Sequence, residues 1–336
     1  MAINAFGIDL GTNNIKIYSA QTGEVLVQKN MIAIKDKGGM FAYGDSAFEM
    51  YEKAPSNITI SYPLKFGVIS DLGNMESMLH YMLSDLQGGT IKSADYIIAV
   101  PWDITDVEKR AFYDLVKEAG VKAKRICVAD KAVADGIGLG IDVRTAVGVM
   151  IVNVGFDTTE ISILSLGGIV LSKLIKAGGQ KFDDAIRAII RSEYGLAIGG
   201  KTAEQVKISL RDLEESGRGA TVYGRDIVTG LPVERIIPSK LLVSALEEDF
   251  KEIIDNIKMI LEKTPPELSA DIYRNGIYLT GGASQVAHVV ERIADGTGLK
   301  VNVSEDPIGS TAEGLGRILI DHEYSELAFS AEGMSK

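Results

Sequence analysis

Two stretches of the chain carry one pattern of apolar and polar positions. Residues 148–168, GVMIVNVGFDTTEISILSLGG, read as an apolar β-branched strand, a glycine-bearing turn and a second strand alternating in period two. Residues 6–19, FGIDLGTNNIKIYS, repeat that order more faintly. Aligned on the turn, Asp9 falls opposite Asn153, Gly11 opposite Gly155 and Ile15–Ile17 opposite Ile161–Ile163, leaving two extra residues in the second turn. Such a tip aims backbone N–H groups at one point, and glycine lets an anion come close to the backbone. Two tips predict two related domains facing a shared phosphate.

Between and beyond the hairpins the pattern alternates strand and helix. A third strand is expected near Glu24–Gln28, followed by residues 31–68, whose short apolar runs and turns (Gly38-Gly39, Gly44, Pro55-Ser56-Asn57) read as a small inserted subdomain. Asn74 is expected to cap a helix with Met75, Met78, Leu79, Met82, Leu83 and Leu86 on one face. DYIIAVP (95–101) predicts a buried strand, and Thr105–Glu108 a capping box opening a helix that stops at Gly120. A strand over Lys124–Val128 leads into ADKAVADGIGLG, a helix loosened by Gly136, Gly138 and Gly140. This β-α-β-α series is an α/β signature. After the second hairpin come a helix burying Phe182, Ala185, Ile186, Ile189 and Ile190, and another from a Thr202/Gln205 capping box through Leu213. A strand pair within 217–237 and a long helix from Ser239 to about Lys263 follow. GIYLTGGASQV reads as strand, glycine turn and helix N-terminus, Val301–Val303 as a last strand, Thr311–Ile320 as a last helix, and 322–336 as a frayed end.

Composition narrows the classes. A 336-residue chain with 46% hydrophobic residues buries two ordinary cores. A formal charge of −11 argues against nucleic-acid partners and against electrostatic attachment to anionic membranes. One cysteine, Cys127, in an apolar run implies no disulfides and fits a reducing cytoplasm. Three histidines and one cysteine make a His/Cys metal site improbable. No apolar run approaches the roughly 20 residues that span a bilayer.

Three glycine turns, Gly7–Asn14, Gly155–Thr159 and Thr280–Ser284, then ask for a common ligand. The first two can present amides to a phosphate chain from opposite sides, and the third suits an anion or a nucleotide's ribose and phosphate. Asp9 stands where a carboxylate can hold Mg²⁺ through its waters. Neither G-x-x-x-x-G-K-[ST] nor a strand-following G-x-G-x-x-G is present.

FGIDLGTNN, YIIAVPWDITDVEKRA, IVNVGFDTTEISILSLGGIV, KAGGQKFDDAI, KTAEQVK and GIYLTGGAS occur in the order of the motifs of the actin and heat-shock-chaperone ATPase superfamily. Within it the chain resembles the MreB family of bacterial actins, above all in SLGGIVLSKLIKAGG, K-T-A-E-x-x-K and EDPIGSTAEGLGRIL. The resemblance implies an actin-like (ribonuclease H-like) α/β fold of two domains with a nucleotide between them. It places domain I at 1–143, with an insert at 31–68 and a C-terminal helix of about 318–336 returning to it. Domain II is placed at 144–317, with an insert at about 182–238. It implies ATP or ADP with Mg²⁺ as ligands. Asp9, Gly11, Thr12, Asn13 and Asn14 match the first phosphate loop, with Asp9 toward the metal, and Gly155, Phe156, Asp157 and Thr158 match the second. Gly178, Gly179, Glu204, Lys207, Gly281, Gly282 and Ala283 match the set facing the adenosine.

The departures point to weak chemistry. Where the family reads E-E-P-x-x-A-x-x-G, with a glutamate polarising the attacking water, this chain has Asp130-Lys131-Ala132. A lysine ammonium has three donors and no acceptor, so it cannot take the water's proton. The family's aspartate in the second turn is Asn153, and its G-G-G reads Gly155-Phe156-Asp157. Asp130 and Asp135 are the candidate substitute bases, although an adjacent helical position points about 100° away. The expected function is thus an ATP-binding, filament-forming cytoskeletal subunit, cytoplasmic or recruited to the inner face of the cell membrane, serving cell shape or the helicity and motility of a wall-less cell, with slow or absent hydrolysis. Its expected partners are copies of itself in paired protofilaments and paralogous subunits. Met1–Gly7 and the loop 87–93, with Ile91 alone to insert, argue against direct membrane binding. The alternatives are an active sugar-kinase-like or chaperone-like ATPase, and a nucleotide-free scaffold.

Overall fold

The computed structural model describes residues 4–36 and 39–330. Ala5–Leu10 is buried at all six positions because it has strands on both sides and structure on both faces. It pairs antiparallel with Asn14–Ser19, which pairs with Glu24–Lys29, and parallel with Ala94–Val100, which pairs with Ala123–Asp130. The second hairpin builds the same five-stranded sheet again. Val149–Val154 pairs antiparallel with Thr159–Ser165, which pairs with Gly168–Ile175, and parallel with Ile277–Thr280, which pairs with Val301–Val303. Two sheets of one topology, each built around a hairpin, make this an α/β actin-like fold of two domains.

The hairpins match more closely than the sequence alignment had them. Gly11 N–H bonds Asn14 O at 3.0 Å and Gly155 N–H bonds Thr158 O at 2.8 Å, so both turns hold four residues. Ile15 corresponds to Thr159 and Ile17 to Ile161, with no insertion. The earlier register matched isoleucine to isoleucine. Thr159, wholly buried with its hydroxyl on Ala177 O at 2.7 Å, occupies the inward position instead.

Several helix starts also differ. Leu72–Leu86 is capped by Asp71, whose carboxylate accepts from Asn74 N–H, so Asn74 is the third residue of the helix and not its cap. The Thr105/Glu108 capping box is present on Asp106–Glu118. The helix Gly200–Glu215 starts two residues before Thr202 and has no cap from its own segment. Its first N–H is bound by both oxygens of Glu52, at 3.0 and 2.9 Å, from the other domain. After Ile277–Thr280 the chain forms a short 3₁₀ turn, Gly282–Gln285, and not an α-helix N-terminus. Residues 322–330 are not frayed: His322–Leu327 is a 3₁₀ turn, and Phe329 exchanges backbone bonds with Val128 at 2.8 and 2.9 Å. The last helix ends at Ile320. Gly38 and the expected end at 331–336 lie outside the described residues.

A small sheet lies within the range of each expected insert. Met40–Tyr43, Ile32–Lys35 and Ile58–Ser61 form one, and Leu196–Ala197, Ala220–Asp226 and Pro232–Ile237 the other. Between the large sheets lies a third core, in which Ile97 and Ala129 of one sheet and Ile151 and Leu164 of the other enclose Ala132, Val133, Ile137, Leu315 and Ile318. These last five belong to two helices, Lys131–Gly138 and Ser310–Ile320. The helices cross at backbone contact: a Cβ on Gly314 would lie 1.8 Å from Ala134 O, and one on Gly138 1.9 Å from Ser310 O. Gly314→Ala is therefore expected to lower unfolding stability by about 1–3 kcal/mol or more, as overpacking of a closed contact does. Denaturant titration measures this, and an unchanged midpoint would contradict the crossing.

Candidate functional site

The two four-residue turns face each other across a cleft of about 530 Å³, within the range of small-molecule sites. From one side it is lined by Asp9, Gly11, Thr12, Asn13, Asn14, Lys16, Lys29 and Lys131. From the other come Asn153, Gly155, Phe156, Asp157, Thr158 and Glu160, then Gly179, Glu204 and Lys207, then Gly281, Gly282 and Ala283. Gly178 stands behind the second turn, where Gly179 N–H bonds Gly155 O at 3.0 Å and Gln180 N–H bonds Phe156 O at 2.7 Å. Gly281 has φ +89°, and a Cβ there would lie 2.4 Å from Val154 O, so only glycine lets the 280–285 turn close on the second hairpin. Asp130, one of the proposed substitute bases, does not line the cleft. It precedes the helix, and burial raises its carboxyl to about 6.

The charge centre of the cleft is Asp9. Its Oδ2 accepts from Lys16 Nζ at 2.7 Å and its Oδ1 from Lys131 Nζ at 3.1 Å. Burial alone would raise its carboxyl, but the two ammonium groups outweigh burial and hold it at about 2. Burial would by itself favour neutral Lys131; Asp9, Asp135 and Glu160 around it push its pKa above the ordinary lysine value, so it stays charged. It offers no acceptor to a water.

Asn153 has a different partner from the one its position implied. Its Nδ2 donates to Asp135 Oδ2 at 2.7 Å, while Thr311 Oγ1 donates to Asp135 Oδ1 at 2.6 Å and Ser310 Oγ stands 3.3 Å from it. Asp135, wholly buried one turn after Lys131, thus ties the first domain's helix to the second domain's central strand and to the closing helix. An aspartate at 153 would set carboxylate against carboxylate; the amide donates.

Glu160 sits directly opposite Asn153 in the hairpin register, as Lys16 sits opposite Asp9. Its Oε1 accepts from Trp102 N–H at 3.3 Å, and its buried Oε2 has no partner among the described residues. Burial raises its carboxyl to about 7 against the opposing pull of Lys131.

Contacts between the domains close the mouth. Phe66 N–H donates to Asp157 Oδ2 at 3.1 Å, and the Tyr62 ring packs on Phe156 at 5.7 Å. Lys29 joins Asn13 Oδ1 at 3.2 Å to Glu204 at 3.4 Å. Lys201 donates to Phe48 O and, at 3.2 Å, to Glu49 O. Lys207 is fixed by Gly179 O at 3.0 Å and Asp183 at 2.8 Å.

With that geometry in view, comparison with known proteins is decisive. The family model for MreB/Mbl proteins matches residues 3–326. The chain belongs to the MreB/Mbl family. It is 36% identical over 317 residues to the cell shape-determining protein Mbl of Bacillus subtilis, covering 93% of this chain and 95% of that one. It is 34% identical over 343 residues to the cell shape-determining protein MreB of Escherichia coli, covering 99% and 98%. The structure of MreB5 of Spiroplasma citri bound to AMPPNP superposes with a TM-score of 0.89 at 33% identity, covering 97% of this chain and 98% of that one. The same protein bound to ADP superposes at 0.88, with 33% identity and coverage of 96% and 98%. A MamK double helical filament matches at 0.75 and 22% identity, a likeness of fold.

As a member of this family the chain fits one implied ligand better than the other. A nucleotide suits the cleft in volume, in its two facing turns and in the lysines that line it, Lys16, Lys29 and Lys131. Mg²⁺, expected on Asp9 through water, meets a carboxylate whose two oxygens each hold an ammonium group. Among the described residues no group of three His, Cys, Asp or Glu side chains could hold a metal ion.

Lys16, the bonding role of Asp135 (weighed only as a substitute base) and Glu160 were missed in the sequence. The first and last were legible in principle: with the turns counted as four residues, Asp9/Lys16 and Asn153/Glu160 become cross-strand pairs. Asp135 had no local signal, since its partners lie 18 and 176 residues away.

Glu160 gives a pH test. Its folded pKa of about 7 stands above the ordinary 4.5, so the folded state holds a proton that the unfolded chain releases in that window. Stability from this group is present at low pH and falls as pH rises from about 4.5 to about 7. Glu160→Gln is expected to stabilise the protein more at pH 8 than at pH 5, read by thermal unfolding at both values. An equal offset at the two would count against a raised carboxyl.

Proposed function

We propose that this chain is a nucleotide-binding, filament-forming subunit of the bacterial actin cytoskeleton, acting in cell shape or in the helicity and movement of a wall-less cell, and that it turns ATP over slowly or not at all. The observation that carries the reading is the Lys131 ammonium at 3.1 Å from Asp9, inside a cleft that suits a nucleotide. Hydrolysis needs a water with a group ready to take its proton, and such a base contributes typically 10²–10⁴ in rate. Lys131 occupies the family's place for that base and donates only. Asp135 accepts from Asn153 and Thr311, and neither it nor Asp130 lines the cleft. The relatives bound to AMPPNP and ADP support nucleotide binding, and the names of Mbl and MreB support a role in cell shape.

Self-association has support on the surface as well. Tyr223, Val228, Leu231 and Ile236 are 62–88% exposed on one hairpin of the second domain's insert, an apolar group of the kind that subunit contacts cover. We take the domains to divide at about 143/144. Direct membrane attachment has little support: no described helix is long and apolar enough to cross a membrane, and Ile91 packs against the first domain's core. A cytoplasmic filament, paired or joined by paralogous subunits, is the reading these features favour.

Sedimentation with and without ATP, with released phosphate measured in the same tubes, tests it. The expected result is pelleting above a critical concentration with little phosphate released. Brisk release would overturn the assignment of Lys131, and no pelleting under any nucleotide would remove the filament. In single-turnover assays at saturating ATP with Mg²⁺, so that weakened binding does not mask the chemistry, Lys131→Glu is expected to gain at least about tenfold in phosphate release, out of the 10²–10⁴ a positioned base supplies. No gain would mean Lys131 is not what holds turnover down.

A further inference from the structure

Asp9 is the carboxylate that the first hairpin's turn presents to the cleft, and a carboxylate so placed is a usual anchor for a hydrated divalent ion. Here the anchor is already taken. Lys16 reaches Oδ2 from the neighbouring strand, and Lys131 reaches Oδ1 from the start of a helix more than a hundred residues later, so the ammonium groups are fixed from independent elements. The other acids near Lys131 are also spoken for or weak ligands. Asp135 accepts from Asn153 and Thr311 and does not line the cleft, and Glu160 is divided between neutral and charged forms near neutral pH. Mg²⁺ keeps several of its waters and takes one or two carboxylates with the substrate's phosphates, so its protein anchor here would be Asp9, where it would face two positive charges.

We propose that Lys16 and Lys131 take the place of Mg²⁺ in this chain, so that it binds the polyphosphate of an adenine nucleotide without a divalent ion. The proposal rests on the nucleotide-binding reading above. Two ammonium groups carry the same total charge as one Mg²⁺. Each has three N–H donors, of which Asp9 uses one, leaving the others for phosphate oxygens. Lysine binds phosphate as a point charge and needs no fixed coordination geometry. Asp9 then serves as the bracket that holds both cations in place. Such a site neutralises the phosphates without ordering a shell of water, which fits binding with little turnover.

Calorimetric titration of the full chain with AMPPNP and with ADP, in Mg²⁺ and in EDTA, tests this. The dissociation constant is expected to agree between the two buffers within about threefold, less than ~1 kcal/mol. Lys131→Met is expected to weaken binding in EDTA by at least about tenfold, with Mg²⁺ restoring part of the loss. Lys16→Met carries the same comparison should Lys131→Met fail to fold. A loss of tenfold or more by the unmodified chain in EDTA would overturn the proposal while leaving nucleotide binding intact. So would lysine variants that bind in EDTA as the parent does. No binding in either buffer would overturn the nucleotide reading and this proposal with it.

Discussion

One buried carboxylate between two ammonium groups organises this molecule. Asp9 is almost wholly inaccessible, and a charge so placed is tolerable only because it is paired and hydrogen-bonded. The pairing decides the rest of the cleft's electrostatics. It keeps Lys131 charged, sets that charge beside Asp135 and Glu160, and denies the position to a proton-accepting group. A glutamate at 131 would face Asp9, Asp135 and Glu160 with only Lys16 to offset them. The lysine is thus part of a balanced set with Asn153, whose amide donates to Asp135.

That set also joins the halves of the fold. Asp135 links the helix after Lys131 to Asn153 and Thr311, across the core where the glycine helices touch. At the mouth the domains meet again through Glu52 on Gly200 N–H, Phe66 N–H on Asp157, and Lys29 between Asn13 and Glu204. Asp157, in the second turn, receives an amide from the opposite domain. Closure is built from the chain's own side chains at both ends of the cleft. Nucleotide in such a cleft adds to contacts already made.

The architecture was legible because it rests on local pattern. Continuous apolar runs announced the buried central strands, 3.6-residue spacing the helices, and glycine turns between strands the two hairpins. The long helix Ser239–Lys263 falls where its apolar stripe and the following prolines put it. What local pattern could not show was anything settled from afar. The cap of Gly200–Glu215 comes from Glu52, 148 residues away, so the nearby Thr202 was credited in its place. Phe329 joins the first domain's sheet edge at Val128, which made a chain end look frayed. The turn residues of the candidate site were readable from motif order, but the ion pairs that give them their character depend on a register counted two residues differently.

A crystal structure of the protein with AMPPNP, grown in Mg²⁺, tests the central claim most directly. The account predicts Lys16 Nζ and Lys131 Nζ between Asp9 and the phosphate oxygens, with no octahedral ion on Asp9. An Mg²⁺ there with its water shell, and Lys131 swung out of the cleft, would contradict it.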